Sequence, residues 1–131
     1  MSRSQLKTLL YVDDEPDIRE IVEMSLGLIG NLTVRTCASA EQALDIMSVL
    51  KPDLVLLDVM MPGMDGPTAL ARIRADKGLG VTPVIFVTAK AMPQDVAHFR
   101  QLGAVGVIAK PFDPMELGAE VLTIWARTNH E

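Results

Sequence analysis

Four short apolar runs, at residues 8–12, 53–57, 84–87 and 105–109, are nearly continuous rather than alternating, and this restricts the chain more than any other feature. An alternating run suits a strand with one wet face, whereas a continuous one suits a strand buried on both, as in a parallel sheet with helices packed on either side. A weaker fifth run, 32–38, alternates and suits an edge. Between the runs lie segments of helical period at 16–29, 40–50, 67–75, 94–102 and 114–127. Strand and helix alternate five times, which predicts an α/β fold: a doubly wound (βα)5 sheet of five parallel strands with helices on both faces and right-handed crossovers.

The local punctuation agrees. Asp14 before Glu15-Pro16, Ser39 with Gln42 three residues on, and Asp113 before Pro114 each set a capping side chain ahead of a first turn. Gly30-Asn31 and Gly103 mark stops after the first and fourth helices. With 131 residues, 49% of them hydrophobic, the chain is expected to form one domain, and a domain of that size buries roughly two-thirds of its unfolded surface without a disulfide or metal cluster. Cys37, the one cysteine, cannot bridge internally and reads as a small buried hydrophobe in a reducing compartment. The 17 acidic against 12 basic residues, with no basic run, argue against a nucleic-acid surface. No apolar run approaches the roughly 18 residues of a membrane span, so the expectation is a cytoplasmic protein without nucleic-acid or membrane partners.

In a doubly wound sheet, ligands sit beyond the carboxyl ends of the strands. That rule selects Asp13 and Asp14 after the first run, Asp58 after the third, Thr88 and Ala89 after the fourth and Lys110 after the fifth. Three carboxylates crowded together repel, and each resists ionising unless a cation compensates. A hard divalent ion, Mg²⁺, wants a few oxygen ligands plus waters, which two or three aspartates and a backbone carbonyl supply. Lys110 adds a point charge able to pair with a carboxylate and then with a phosphoryl oxygen. Asp58 in such company is equipped to attack phosphorus and form an acyl phosphate. His98 falls on a helical face and His130 in the terminal tail, where solvated side chains are the simpler reading.

The motifs Val12-Asp13-Asp14-Glu15, Asp58-Val59-Met60-Met61-Pro62-Gly63-Met64-Asp65-Gly66, Val87-Thr88-Ala89 and Lys110-Pro111-Phe112 stand in order on the expected strand ends. Together they resemble the receiver domains of two-component response regulators, and the resemblance covers essentially the whole chain. It implies a flavodoxin-like fold and one receiver domain over 1–131, with a core at about 7–128 and no output domain. It also implies residue roles. Asp58 matches the phosphoacceptor, Asp14 a direct Mg²⁺ ligand, Asp13 a ligand acting largely through water, and Met60 a position whose backbone carbonyl completes the metal shell. Thr88 matches a hydroxyl that turns toward the phosphoryl group, Ala89 a backbone N–H donor to it, and Lys110 the ammonium that pairs with it; the Lys110-Pro111 bond matches one that is cis in the family. The implied function is Mg²⁺-dependent acceptance of a phosphoryl group from a histidine kinase or histidine phosphotransfer protein. That step would change binding to a downstream protein target, in a monomer or weak dimer that is no enzyme beyond its own phosphorylation and dephosphorylation.

Two features depart from that pattern or add to it. Where the family commonly carries an aromatic side chain, three residues before the lysine, this chain has Val107, which is too compact and stiff to act as a large rotameric switch. The expectation is that phosphorylation shifts the loop 90–93 and the face of the fourth helix without a side-chain swing at Val107. In the first helix the apolar arc spans about 200° at 100° per residue, wider than the roughly 100° stripe that covers one sheet face. Met24 and Leu28 are therefore expected to stay exposed, as scattered surface hydrophobes or as a docking patch for a helical bundle carrying a phosphohistidine. Phe99 and Val96 are assigned to the core, Trp125 to the core or its margin with a place on the face beside the fourth helix as the alternative, and the eight methionines to adaptable packing.

Two rival classes remain. A flavodoxin-like nucleotide or flavin carrier needs a phosphate-cradling loop where this chain has Asp13-Asp14-Glu15. A Mg²⁺-dependent phosphohydrolase needs an acid/base partner and a substrate-gripping segment that the sequence does not display.

Overall fold

In the computed structural model, residues 5–128 are described. Ten elements alternate: β1 (Thr8–Val12), α1 (Pro16–Leu26), β2 (Thr33–Cys37), α2 (Ala40–Leu50), β3 (Leu54–Asp58), α3 (Gly66–Ala75), β4 (Val84–Thr88), α4 (Pro93–Gln101), β5 (Gly106–Ala109) and α5 (Pro114–Thr128). All pairings are parallel and the sheet runs β2-β1-β3-β4-β5. This is the doubly wound, flavodoxin-like α/β fold that the apolar runs predict. No helix among the described residues is long and apolar enough to cross a membrane.

Side chains alternate across a strand, so each continuous run feeds two cores. Leu10, Val12, Val55, Leu57, Val84 and Phe86 pack with Ala43, Met47, Leu70, Ile73 and Phe99 of α2, α3 and α4. Leu9, Tyr11, Leu54, Leu56, Ile85, Val87 and Ile108 pack on the other face with Val22 and Leu26 of α1 and with Leu117, Val121 and Trp125 of α5. β2, at the edge, shows the half-wet pattern its alternation implied. Cys37 is buried with its thiol on the Ser39 carbonyl, and burial pushes its pKa up to about 11, so it behaves as a hydrophobe.

The caps hold at two of three places. Ser39 Oγ accepts from the Gln42 amide while Gln42 Oε1 accepts from the Ala38 amide, and Asp113 Oδ1 accepts from the Met115 amide. Asp14 does not cap α1: the N-cap is Glu15, without a side-chain hydrogen bond, because Pro16 at the first position removes one of the orphan N–H groups. The helix also stops at Leu26, three residues short of the expected 29. Gly27 weakens it, and the Ile29 amide closes a turn on the Leu26 carbonyl. Gly103 follows α4 with φ +112°, a left-handed stop as expected.

Val96 departs from its core assignment. It is half-buried and, with Val107 and Ile124, lines a groove of about 510 Å³ between α4, β5 and α5. Phe99 and Trp125 are buried.

Candidate functional site

The strand order reverses at β1, so the crevice of a doubly wound sheet opens between the carboxyl ends of β1 and β3. The register sets Val12 beside Leu57, which brings Asp13 next to Asp58 on adjacent strands. Asp58 is the last residue of β3 rather than the first beyond it, because its backbone still pairs with Val87 of β4. The turn that follows is held close: the Gly66 amide donates to the Val59 carbonyl, and a Cβ on Gly66 would stand 2.8 Å from the Asp58 carbonyl oxygen. A side chain there would push the end of β3 out of line.

One carboxylate oxygen from each of Asp13, Asp14 and Asp58 lies within 4.8 Å of the others. Asp13 is fully buried and Asp58 nearly so, at 5% exposure, while Asp14 reaches solvent. Lys110 extends back across β4, and its ammonium sits 3.0 Å from Asp13 Oδ2 and 3.3 Å from Asp58 Oδ2. Glu15 is a distant third partner at 3.9 Å, on the exposed rim. The Lys110-Pro111 peptide is cis.

The electrostatics follow from burial. Loss of water pushes the Asp58 carboxyl up to about 6; the Lys110 charge opposes this, the Asp13 charge adds to it, and the Met60 backbone N–H opposes it again. Burial alone would lower the Lys110 ammonium, but hydrogen bonding and charge from Asp13 and Asp58 outweigh it and leave the pKa raised. One ammonium therefore serves two buried carboxylates and leaves Asp58 undercompensated. The cluster is what a hard, oxygen-seeking divalent cation fits: three carboxylates of converging geometry, one of them open to solvent for entry.

The remaining sequence-selected residues surround this centre without all touching it. Thr88 is buried at the end of β4, and its hydroxyl accepts from the Lys90 amide at 3.0 Å. Ala89 lines an apolar groove together with Lys110. Met60 lies in the loop after β3 with an exposed side chain. His98 is exposed on α4, as its helical position implied, and His130 lies outside the described residues.

Two residues escaped the sequence reading. Tyr11 is fully buried, and its hydroxyl donates to Asp13 Oδ2 at 2.7 Å. Arg19 on α1 donates through Nη1 to the Asp13 carbonyl at 2.8 Å. Tyr11 was visible in principle: it stands two residues before Asp13, and a period of two puts both side chains on one face of β1. Burial and the Asp13 carboxylate push the Tyr11 phenol pKa far upward, so it remains a neutral donor. Arg19 carried no such signal, because its bond depends on how α1 lies over the strand end.

A parallel α/β sheet with an acidic cluster and one lysine at its switch point defines a class of phosphoacceptor signalling domains. The sequence profile of the response regulator receiver domain matches residues 9–122, and the chain belongs to that family. It is 41% identical to the response regulator Rre1 of Synechocystis, over 92% of this chain and 52% of that protein. It is 37% identical to the phosphate regulon transcriptional regulatory protein PhoB of Pseudomonas aeruginosa, over 93% of this chain and 53% of that one. The chain thus spans about half the length of these curated relatives. Among solved structures, the chemotaxis protein CheY4 of Vibrio cholerae superposes with a TM-score of 0.82 at 28% identity, covering 92% of this chain and 99% of that one.

Proposed function

We propose that Asp58 accepts a phosphoryl group from a phosphohistidine donor, a histidine kinase or histidine phosphotransfer protein, and that the modified domain changes its binding to a protein target. The observation that carries this reading is the undercompensated, nearly buried Asp58 carboxylate sharing one ammonium with Asp13. Asp13, Asp14, Asp58 and the Met60 carbonyl would hold Mg²⁺, which supplies neutralisation of charge on the phosphoryl oxygens. An Asp58 oxygen forms a bond to phosphorus as the phosphorus–nitrogen bond of the donor breaks, and the electron pair leaves on the imidazole nitrogen. Lys110 then pairs with a phosphoryl oxygen and the Ala89 N–H donates to another. Hydrolysis is a second transfer, in which water attacks phosphorus, the bond from phosphorus to the Asp58 oxygen breaks, the Asp58 carboxylate is restored and inorganic phosphate leaves. The domain catalyses only this transfer to itself and its loss.

Thr88 supplies the link to shape. In the resting state its hydroxyl holds the Lys90 amide; turned toward a phosphoryl oxygen, it releases that amide and with it the loop 90–93 at the start of α4. Val107, half-buried beside Val96 on the groove between α4 and β5, needs no swing in this scheme. The change is a population shift between two states of the loop and α4.

The donor would dock beside α1. Met24 is 71% exposed, as the wide apolar arc of that helix implied; Leu28, in the turn that follows the helix, is 84% exposed, and Met115 at the start of α5 is 85% exposed. These three, with Ile21, line an apolar groove of about 340 Å³. That groove shares Ile21 and Pro114 with one of about 410 Å³ that reaches Lys110. An apolar path from a helix face to the lysine that pairs with Asp58 suits a helical bundle presenting a phosphohistidine. The acidic composition argues against nucleic-acid contact by this segment, and a cytoplasmic location follows from the kind of donor required.

The test is incubation with acetyl phosphate and Mg²⁺ followed by mass spectrometry. A single base-labile adduct of about 80 Da, mapped to Asp58 and lost in Asp58→Ala, is the expected result. Sustained turnover of acetyl phosphate without an adduct, or an adduct elsewhere, overturns the reading.

A further inference from the structure

We infer that the Tyr11 hydroxyl is a positioning group for the acidic pocket, the fixed partner of Asp13 that leaves Lys110 free to move. This deepens the proposed function and rests on it.

The Asp13 carboxylate is fully buried and its hydrogen bonds can be assigned atom by atom. Oδ1 accepts the Glu15 amide at 3.0 Å; Oδ2 accepts the Tyr11 hydroxyl at 2.7 Å and the Lys110 ammonium at 3.0 Å. The two partners of Oδ2 differ in kind. Lys110 is a long flexible side chain, 20% exposed, that also reaches Asp58 Oδ2 at 3.3 Å. Tyr11 is a rigid ring with no exposed surface, packed in the core under α1 and α5.

A phosphoryl group on Asp58 draws the ammonium toward its oxygens. A buried carboxylate oxygen that loses its partner is costly, and that cost would tether Lys110 to Asp13. The phenol removes the tether by remaining on Oδ2 when the ammonium goes. The same bond, with the Arg19 guanidinium on the Asp13 carbonyl at 2.8 Å, fixes the carboxylate plane against which a cation must fit. Groups that orient a ligand from behind typically change metal affinity 10- to 100-fold when removed.

Tyr11 is the only tyrosine in the chain, so its vibrational spectrum reports one phenol. Ultraviolet resonance Raman of the unaltered protein is expected to show the Fermi-doublet signature of a donating phenol in three states: without Mg²⁺, with Mg²⁺, and with Mg²⁺ plus beryllofluoride. A phenol that stops donating in the beryllofluoride state overturns the inference whether or not a variant folds. Tyr11→Phe, checked for folding by circular dichroism, is expected to bind Mg²⁺ roughly tenfold more weakly by calorimetry and to form less beryllofluoride adduct at equal Mg²⁺ saturation. Unchanged values for both in folded Tyr11→Phe overturn this inference alone. Absence of Mg²⁺ binding by the unaltered protein overturns it together with the proposed function.

Discussion

The two ends of the sheet both take charge out of water, and they do so in opposite ways. At the amino ends of the strands, the half-buried Arg74 guanidinium donates to the carbonyls of Gly80, Thr82 and Gly103, at 3.3, 2.6 and 2.8 Å. Nearby, Asp53 Oδ2 accepts the amides of Lys7 and Thr8, both at 3.0 Å. Each charge there is met by backbone groups that need a partner anyway, so the end of the sheet is stapled. At the carboxyl ends three carboxylates face one another, and a single ammonium bridges two of them, Asp13 and Asp58. A charge with enough partners holds a fold together; a charge with too few stores a demand that a cation and a phosphoryl group can meet.

The comparison can be broken first at the staple. Arg74→Ala removes a charged donor from three carbonyls and is expected to destabilise the domain by about 3 kcal/mol, since bonds to charged groups contribute about 1.5 to 3 kcal/mol each and half-exposure discounts them. Phosphorylation of Asp58 should persist below the lowered melting temperature. Urea titration and mass spectrometry of the same samples check both halves.

The opposite sign is expected at the other end. A carboxyl raised from 3.8 to about 6 opposes folding when ionised. That penalty is absent below about pH 4, where both states are protonated, grows as pH rises through the window 4 to 6, and is constant above it. Asp58→Asn is therefore expected to stabilise the domain by about 3 kcal/mol at pH 7, at roughly 1.4 kcal/mol per pKa unit, the Lys110 pairing being already counted in that shift. The gain should vanish at pH 4, even as the adduct is lost at every pH. Urea midpoints of the two proteins at pH 4 and 7 decide this, and an equal difference at both pH values would remove the electrostatic explanation.

Smaller effects sharpen the contrast. Mg²⁺ at about ten times its dissociation constant should stabilise the unaltered protein by about 1.4 kcal/mol through mass action, and Asp58→Asn by less, as read by thermal scans. Asp53→Asn keeps an acceptor but loses the charge, so about 1 kcal/mol of destabilisation with no change in Mg²⁺ affinity is expected. An Asp53→Asn effect on Mg²⁺ binding would show that the two ends are coupled and the comparison false.

Much of this was legible before any coordinates. The four continuous runs placed their strands to within a residue, since burial on both faces selects apolar side chains along the strand and admits a buried polar one, Asp58 or Thr88, only at its last position. Asp13, Asp14, Asp58 and Lys110 followed from the rule about strand ends, and the structure brings their charged atoms together. The exposure of Met24 followed from the width of an apolar arc, whereas Leu28, expected exposed for the same reason, is exposed from the turn after α1. Less legible were features that depend on neighbours distant in sequence. The early end of α1 turns on a single glycine and on the Ile29 amide, and Val96 misses the core because β5 and α5 leave a groove beside it.

By itself the sequence determined the alternation of strands and helices, the strand ends on which the acidic residues and the lysine stand, and the residue types that phosphoryl chemistry needs. These are local properties, written in periodicity and in the residue that ends each run. Only the tertiary structure decided that one ammonium bridges Asp13 and Asp58, that the Thr88 hydroxyl is engaged by Lys90, and that Tyr11 and Arg19 stand behind Asp13. Each of those bonds joins specific atoms at about 3 Å, and such distances are set by how strands and helices pack, which no local pattern encodes.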